Sequence, residues 1–494
     1  VPGGLLLIST RLPLVTGALH TDGRGDRDGP RVDVRVTGGV IEAIDPGLRP
    51  RPGETVVDCA GGALLPGLCD HHLHLHALAA WRGSVPCGPP EVRDGAQLGA
   101  VLAAAPADRH GWVRGVGYVD TVLGRLDARA LDRLHPSRPV RIQHRGGSMW
   151  MLNSAAVSLL QLASADHPGI ERDAGGAPTG LLWRADDWLR ARLPSTPPDL
   201  SGVGRELTAL GITAVTDATP DLDDDAVASI AAAAGSAALP QQVTLLGAPL
   251  AAGPGAIPYP RSGRPGRAGG SLAVGPYKVV LADSGLPALD DLTARIAAAH
   301  RVGRPVALHC VTEVALVLLL AALDEAGVLP GDRIEHAGLV PESLIPTIAG
   351  CGITVVTQPG FLAHRGEDFV RDLPAAQHTD LYRCRSLMSA GVPVALSSDA
   401  PYGPLDPWAV IAAAVDRRAG DGSVIGPRER LDAWRALAAY LGAPGDPGGR
   451  PRTVQVGGAG DLVVLRAPLS EALRAPNHEV VRAVVIGGEL MSGD

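Results

Sequence analysis

Short apolar runs, each followed by a turn or a polar stretch, recur along the middle of the chain at 63–70, 211–217, 242–247, 277–281, 305–309, 333–336, 353–358 and 394–399. They do not alternate apolar with polar, so they predict strands buried on both faces. From the fourth run onward the spacers carry helical periodicity, at 289–300, 311–327, 341–349 and 381–391. Eight strand-plus-helix units predict an α/β fold, a (β/α)8 TIM-like barrel.

The two ends of the chain are patterned differently. Residues 31–36 and 40–44 alternate around Gly38-Gly39, and 461–465 and 480–486 behave likewise before Gly487-Gly488. Such β segments at opposite ends predict one small β-sandwich, built from 1–62 plus 450–494, flanking a barrel over 63–449. The interval 81–200 is too long for one loop and contains strand candidates of its own at 113–116 and 139–143. It reads as a subdomain inserted after the first barrel strand.

Composition narrows the class. An apolar fraction of 46% with only two Phe and six Tyr implies a core of Ala, Val, Leu and Ile. A net charge of −8 without basic clusters speaks against nucleic acid and acidic membrane surfaces as partners. The longest apolar helical run, 314–323, is too short to cross a bilayer. Six cysteines without a Cys-x-x-Cys pair suit reduced thiols and a cytoplasmic location. A small-molecule substrate is the expected partner, and a homodimer is left open.

Of the 44 basic side chains one alone is lysine, Lys278. Arginine is always protonated, whereas a buried lysine can lose its proton and react. Lys278 lies in the apolar run Pro276-Tyr277-Lys278-Val279-Val280-Leu281, where an ammonium would be costly, so its amine chemistry is the reason to retain it. The first strand closes on Asp70-His71-His72-Leu73-His74. Side chains two apart on a strand point the same way, so His72 and His74 can converge on one ion, as can His74 and His76 if the strand runs further. Lys278, His309, His336 and Asp399 each fall at or near the C-terminal end of a different predicted strand, the face where barrel active sites form.

The stretches Leu65-Pro66-Gly67-Leu68-Cys69-Asp70-His71-His72-Leu73-His74, Arg333-Ile334-Glu335-His336 and Ser398-Asp399 resemble the amidohydrolase superfamily of metal-dependent hydrolases. Most of the chain resembles its N-substituted formamide deformylase-like branch. The stretches that carry this are Trp112 to Tyr118, Asn153-Ser154, Gly211 to Asp217 and Pro404-Leu405-Asp406-Pro407. Two stretches depart from that branch and bear on substrate identity. Ala282-Asp283-Ser284-Gly285 stands where a loop with Asp-Gly-Ser is usual, and Gly146-Gly147-Ser148 where Asp-Gly-His is usual.

The resemblance implies that His72, His74 and Asp399 hold one divalent metal and that His309 and His336 hold a second. It further implies that Lys278 bridges the two as a carbamate formed with CO2. Imidazole and carboxylate ligands suit Zn first, with Mn, Fe or Co allowed by ligand type. The implied reaction is hydrolysis of an amide-type C–N bond, other than a peptide bond, in a small molecule, with Asp399 as general base. His144, Arg145, Trp150, Gln358 and Tyr402 are the candidate substrate-binding residues. Two rivals are a mononuclear deaminase acting on a ring and a scaffold without turnover. The deaminase reading calls for His-x-x-Glu, whereas His309-Cys310-Val311-Thr312-Glu313 is one residue too long.

Overall fold

The computed structural model describes residues 4–13, 28–193, 198–253, 255–256, 271–282 and 285–493. The chain divides into two compact units, one of Val1–Leu75 with Leu200–Asp494 and one of His76–Asp199. Asp283 and Ser284, part of one stretch that departs from the branch pattern, lie outside the described residues.

The first unit is organised by nine parallel strands: β1 (Leu68–Leu73), β2 (Ile212–Asp217), β3 (Gln242–Leu245), β4 (Leu272–Val274), β5 (Tyr277–Val280), β6 (Val306–Cys310), β7 (Arg333–His336), β8 (Thr354–Thr357) and β9 (Val394–Leu396). They form two sheets, ordered β4-β3-β2-β1 and β5-β6-β7-β8-β9, with the two-residue strand Gly255–Ala256 antiparallel outside β4. Main-chain bonds run between the sheets at both ends: Lys278 N donates to Leu246 O (3.1 Å) and Asp399 N to His72 O (2.8 Å).

The fourth apolar run, 277–281, corresponds to β5, and the preceding β4 is a separate strand that the sequence pattern did not single out. The break falls at Gly275-Pro276, where proline has no N–H for the ladder. Gly275 N still bonds Leu245 O (2.9 Å) before the chain passes into β5.

Helices Leu289–Arg301 and Glu313–Ala326 cover the second sheet, burying Ile296, Leu316 and Leu319 against Leu308, Ile334 and Val355. Each such side chain contributes about 1.5–3 kcal/mol of burial free energy. The 341–349 stretch becomes a 3-10 turn, Glu342–Leu344, and the helix Ile345–Cys351. Only Arg385–Ser389 is helical within 381–391. Its start is drawn elsewhere, since Tyr382 N donates to Gly338 O (2.9 Å) and Tyr382 adopts φ 42°. A further helix, Gly360–Asp372, buries Phe361, Leu362 and Gly366.

Residues near the two termini form two four-stranded sheets. One holds Leu5–Arg11, Arg31–Thr37, Val40–Asp45 and Thr55–Asp58, the other Leu64–Pro66, Leu462–Leu465, Val481–Ile486 and Glu489–Gly493. Leu7, Val34 and Val36 from the first share one apolar cluster with Leu64, Val464 and Val485 from the second. Gly38 and Gly39 join two of these strands with φ of 59° and 80°, the left-handed conformation a tight hairpin demands.

The second unit carries its own six-stranded mixed sheet. Val113–Tyr118 and Val140–His144 pair in parallel at its centre, and Met149–Leu152 and Pro178–Trp183 extend it antiparallel. Asn153 is a structural node of this unit. It caps the helix Ser154–Leu159, accepts from Val140 N (2.9 Å), and donates to His135 O (2.9 Å) and Arg138 O (2.7 Å). Among the described residues, no helix is long and apolar enough to cross a membrane.

Candidate metal centre

Strand β1 ends at Leu73, so His72 lies within it and His74 just past it, while His76 falls in the following helix Leu75–Arg82. The strand does not extend to pair His74 with His76. His72, His74 and Asp399 each offer one ligand atom, and these atoms lie within 4.8 Å of one another. Asp399 Oδ1 is 3.1 Å from His74 Nε2 and 3.4 Å from His72 Nε2, and Oδ2 is 3.8 Å from His336 Nδ1.

The downstream strands bring their residues to the same place. Register sets His309 opposite Glu335 and Cys310 opposite His336. The His336 ring centre lies 4.4 Å from that of His309 and 4.7 Å from that of His72. His336 and Asp399 both hold left-handed backbone, with φ of 71° and 55°. Such conformations are disfavoured for ordinary side chains and concentrate where function requires a residue to be aimed.

Electrostatics leaves these groups poor in protons. Burial, followed by the Lys278 ammonium, pushes the His309 imidazolium down to about 3, and burial holds His72 and His336 well below the usual histidine range. Neutral imidazole is the form that binds metals. Burial lowers Lys278 to about 8, outweighing the carboxylates of Glu335 and Asp399, which pull it upward. Among the described residues Lys278 Nζ and His72 Nε2 are buried without a hydrogen-bond partner. Unsatisfied buried polar atoms are costly, and a cation with imidazole and carboxylate ligands would satisfy this set. The residues therefore fit a divalent metal.

Three imidazoles have a second nitrogen held from outside. His72 Nδ1 meets Glu335 Oε2, His336 Nδ1 meets Gln358 Oε1 at 2.9 Å, and His74 Nδ1 meets Thr219 Oγ1 at 3.1 Å. Asp70 ties β1 to the end of β9, accepting from His72 N (3.1 Å) and Ser398 N (3.2 Å) through one oxygen. Burial raises its carboxyl to about 7. Sequence reasoning gave no role to Glu335 or Thr219. Glu335 was in view as the residue before His336, but nothing local signals a partner 263 positions away.

The expected substrate-binding residues fall in different places. Gln358 is wholly buried, its amide spent on His336 and on Ser397 Oγ (2.9 Å). Tyr402 stands edge-on to His74 with ring centres 5.5 Å apart. His144, Arg145 and Trp150 belong to the second unit. There Trp150 is buried, donates to Asp186 Oδ1 (2.8 Å), and lies under the guanidinium of Arg114 at 5.3 Å.

The sequence pattern of the amidohydrolase family matches residues 55–491, nearly the whole chain. This chain belongs to the amidohydrolase family. Membership makes it a hydrolase acting on carbon–nitrogen bonds. The N-substituted formamide deformylase of Arthrobacter pascens is 26% identical, covering 87% of this chain and 89% of its own. A shorter similarity, 45% identity over 62 residues, links 12% of this chain to 13% of an isoxanthopterin deaminase from an unknown prokaryotic organism. In fold, an uncharacterized metal-dependent hydrolase from Pyrococcus horikoshii OT3 superposes with a TM-score of 0.73 at 18% identity, over 99% of this chain and 100% of that one.

Proposed function

We propose that this amidohydrolase cleaves an amide-type C–N bond, other than a peptide bond, in a small molecule. The observation that carries this reading is the convergence of His72, His74 and Asp399 on one position, with the buried amine of Lys278 within electrostatic range. His72, His74 and Asp399 would hold one divalent ion, His309 and His336 a second, and Lys278 would bridge them as a carbamate. Zn suits these ligands, and Mn, Fe or Co are compatible with them. When bound, such ions acidify water toward neutrality and polarise a scissile carbonyl.

The chain's own residues supply the remainder. Asp399 touches two imidazoles through Oδ1, and in the proposed reaction it takes the proton of the attacking water and returns it to the leaving nitrogen. Lys278, lowered to about 8, carries the neutral amine that attacks CO2; one N–C bond forms, one proton leaves, and a carboxylate-like bridge results. His74 is fixed between Asp399 and Thr219, and Tyr402 walls it on one side. Tyr402 remains the residue proposed to act toward substrate, with Gln358 doing so through His336; His144, Arg145 and Trp150 remain substrate-binding candidates of the second unit taken by itself.

In this reading the two parallel sheets are the halves of a (β/α)8 barrel. The bonds from Lys278 N to Leu246 O, just past β3, and from Asp399 N to His72 O of β1 join the two sheets and support it. The proposed flanking sandwich draws on 1–62 and 450–494 and takes in the strand Leu64–Pro66 from the start of the proposed barrel segment 63–449, with 81–200 its insertion. Five buried thiols and one half-buried thiol, none in a disulfide, are in keeping with a cytoplasmic setting.

The similarity to a deaminase keeps ring deamination as the second reading. Against it, Glu313 is exposed at the start of its helix, and Lys278 would have no task. Metal analysis after mild purification decides: about two ions per chain supports the binuclear hydrolase, one favours the deaminase, and none removes both.

A further inference from the structure

The geometry points to Glu335 as a positioning residue that fixes His72 for metal binding, with Arg333 holding Glu335 in turn. It rests on the proposed metal centre and concerns a residue not counted among its ligands.

Glu335 and His72 are both wholly buried, and Glu335 Oε2 contacts His72 Nδ1. The other oxygen, Oε1, accepts from Arg333 Nε at 2.5 Å, and Arg333 Nη2 donates to His71 O at 3.2 Å. Arg333 and Glu335 sit two apart on β7, on the same face of the strand, so their pairing is local, whereas His72 comes from β1. The carboxylate thereby spans the gap between one ligand-bearing strand and another. Its acceptor-only oxygen requires the proton of the imidazole on Nδ1. That choice leaves Nε2, which has no hydrogen-bond partner and lies 3.4 Å from Asp399 Oδ1, as the lone pair turned toward the cluster.

The three outer partners are chemically unequal. His72 has a carboxylate, His336 a neutral amide and His74 a hydroxyl. A carboxylate on the far nitrogen raises imidazole basicity and locks ring orientation more than a neutral acceptor does, and loss of such a partner typically costs 10–100-fold in metal affinity. Of the three imidazoles, His72 is thus the one whose donor strength depends on a full charge. Glu335→Gln keeps one acceptor oxygen of the same reach for His72 Nδ1, gives up the acceptor that Arg333 Nε uses, and removes the charge.

The test measures metal loading without turnover. Apo-protein, wild type and Glu335→Gln, is titrated in zinc buffers of known free concentration, and melting of each apo form is recorded. The expected result is half-loading at about 10–100-fold higher free zinc for Glu335→Gln, in an apo form that still melts cooperatively, at a lower temperature because buried Arg333 loses its counter-charge. Loading at the wild-type concentration would overturn the inference. Should Glu335→Gln fail to fold, Glu335→Asp takes its place: one methylene shorter, it cannot reach both His72 and Arg333, and unchanged loading there would equally overturn it. Wild-type protein that binds no zinc would sink the proposed metal centre itself, an outcome distinct from either.

Discussion

His74 Nε2 and Asp399 Oδ1 stand 3.1 Å apart although 325 positions separate them in the chain. The contact exists because Asp399 N bonds His72 O, bringing the turn after β9 onto the end of β1. Asp399 thus has its carboxylate against two imidazoles and its backbone in the left-handed region. Asn tolerates that backbone better than most residues. Asp399→Asn should therefore fold normally while losing about 10²-fold or more in kcat, because an amide cannot accept the water's proton. Steady-state kinetics on the first substrate found will check this. A rise in KM alone would give Asp399 a binding role and send the search for a base elsewhere.

Lys278 lends itself to a two-part test. Lys278→Ala should lose most activity and much of the metal, Lys278→Arg should do no better, and small carboxylic acids should restore part of the Ala variant's rate. A Lys278→Arg enzyme near wild-type turnover would refute the carbamate. The neutral amine is the reactive form, and its pKa is depressed to about 8. At a fixed concentration of dissolved CO2, activation of the metal-free enzyme by added metal should therefore rise about tenfold per pH unit below that value and level off above it. A pH-independent activation rate would show that Lys278 is not the group titrating.

Much of the fold was legible because strands buried on both faces are written as unbroken apolar runs. The runs at 333–336 and 394–399 correspond to β7 and β9 on that basis. What escaped was set by backbone bonding or by long-range contact. The short strand β4, ahead of Pro276, falls outside the apolar runs, and Gly360–Asp372 hides its helix behind a polar face and an internal glycine. In the same way the ligand-type residues stood out by their chemistry, whereas Glu335 and Thr219 act through imidazoles remote in sequence. Gln358 read as a pocket residue for want of any sign that its amide is occupied by His336.

The thiols offer a check on burial. Burial pushes Cys59, Cys69, Cys87 and Cys384 up to about 12, and Cys310 is also buried. Thiolate is the reactive form, so these should resist a disulfide reagent in the native protein. Burial raises Cys351 too, but it alone is half-buried, at the end of its helix, so it should react ahead of the rest. About one fast thiol in native buffer and six in denaturant is the expected count. Several fast thiols would mean that the cores around Cys87 and Cys310 open in solution.

The substrate is expected to be a small, neutral or weakly polar N-formyl, N-acyl or cyclic amide. The formamide deformylase similarity extends over most of both chains, which favours this class over the deaminase similarity confined to 62 residues. The Tyr402 ring beside His74 offers an apolar wall that suits a neutral or weakly polar substrate. Formamides, N-acyl amines, lactams, hydantoins, amino-purines and dipeptides, assayed with added Zn or Mn, should yield turnover in the first four groups. Preferential cleavage of dipeptides would overturn the assignment to non-peptide amides. Ammonia release from the amino-purines alone would instead install the deaminase reading, and Lys278 would then need another explanation.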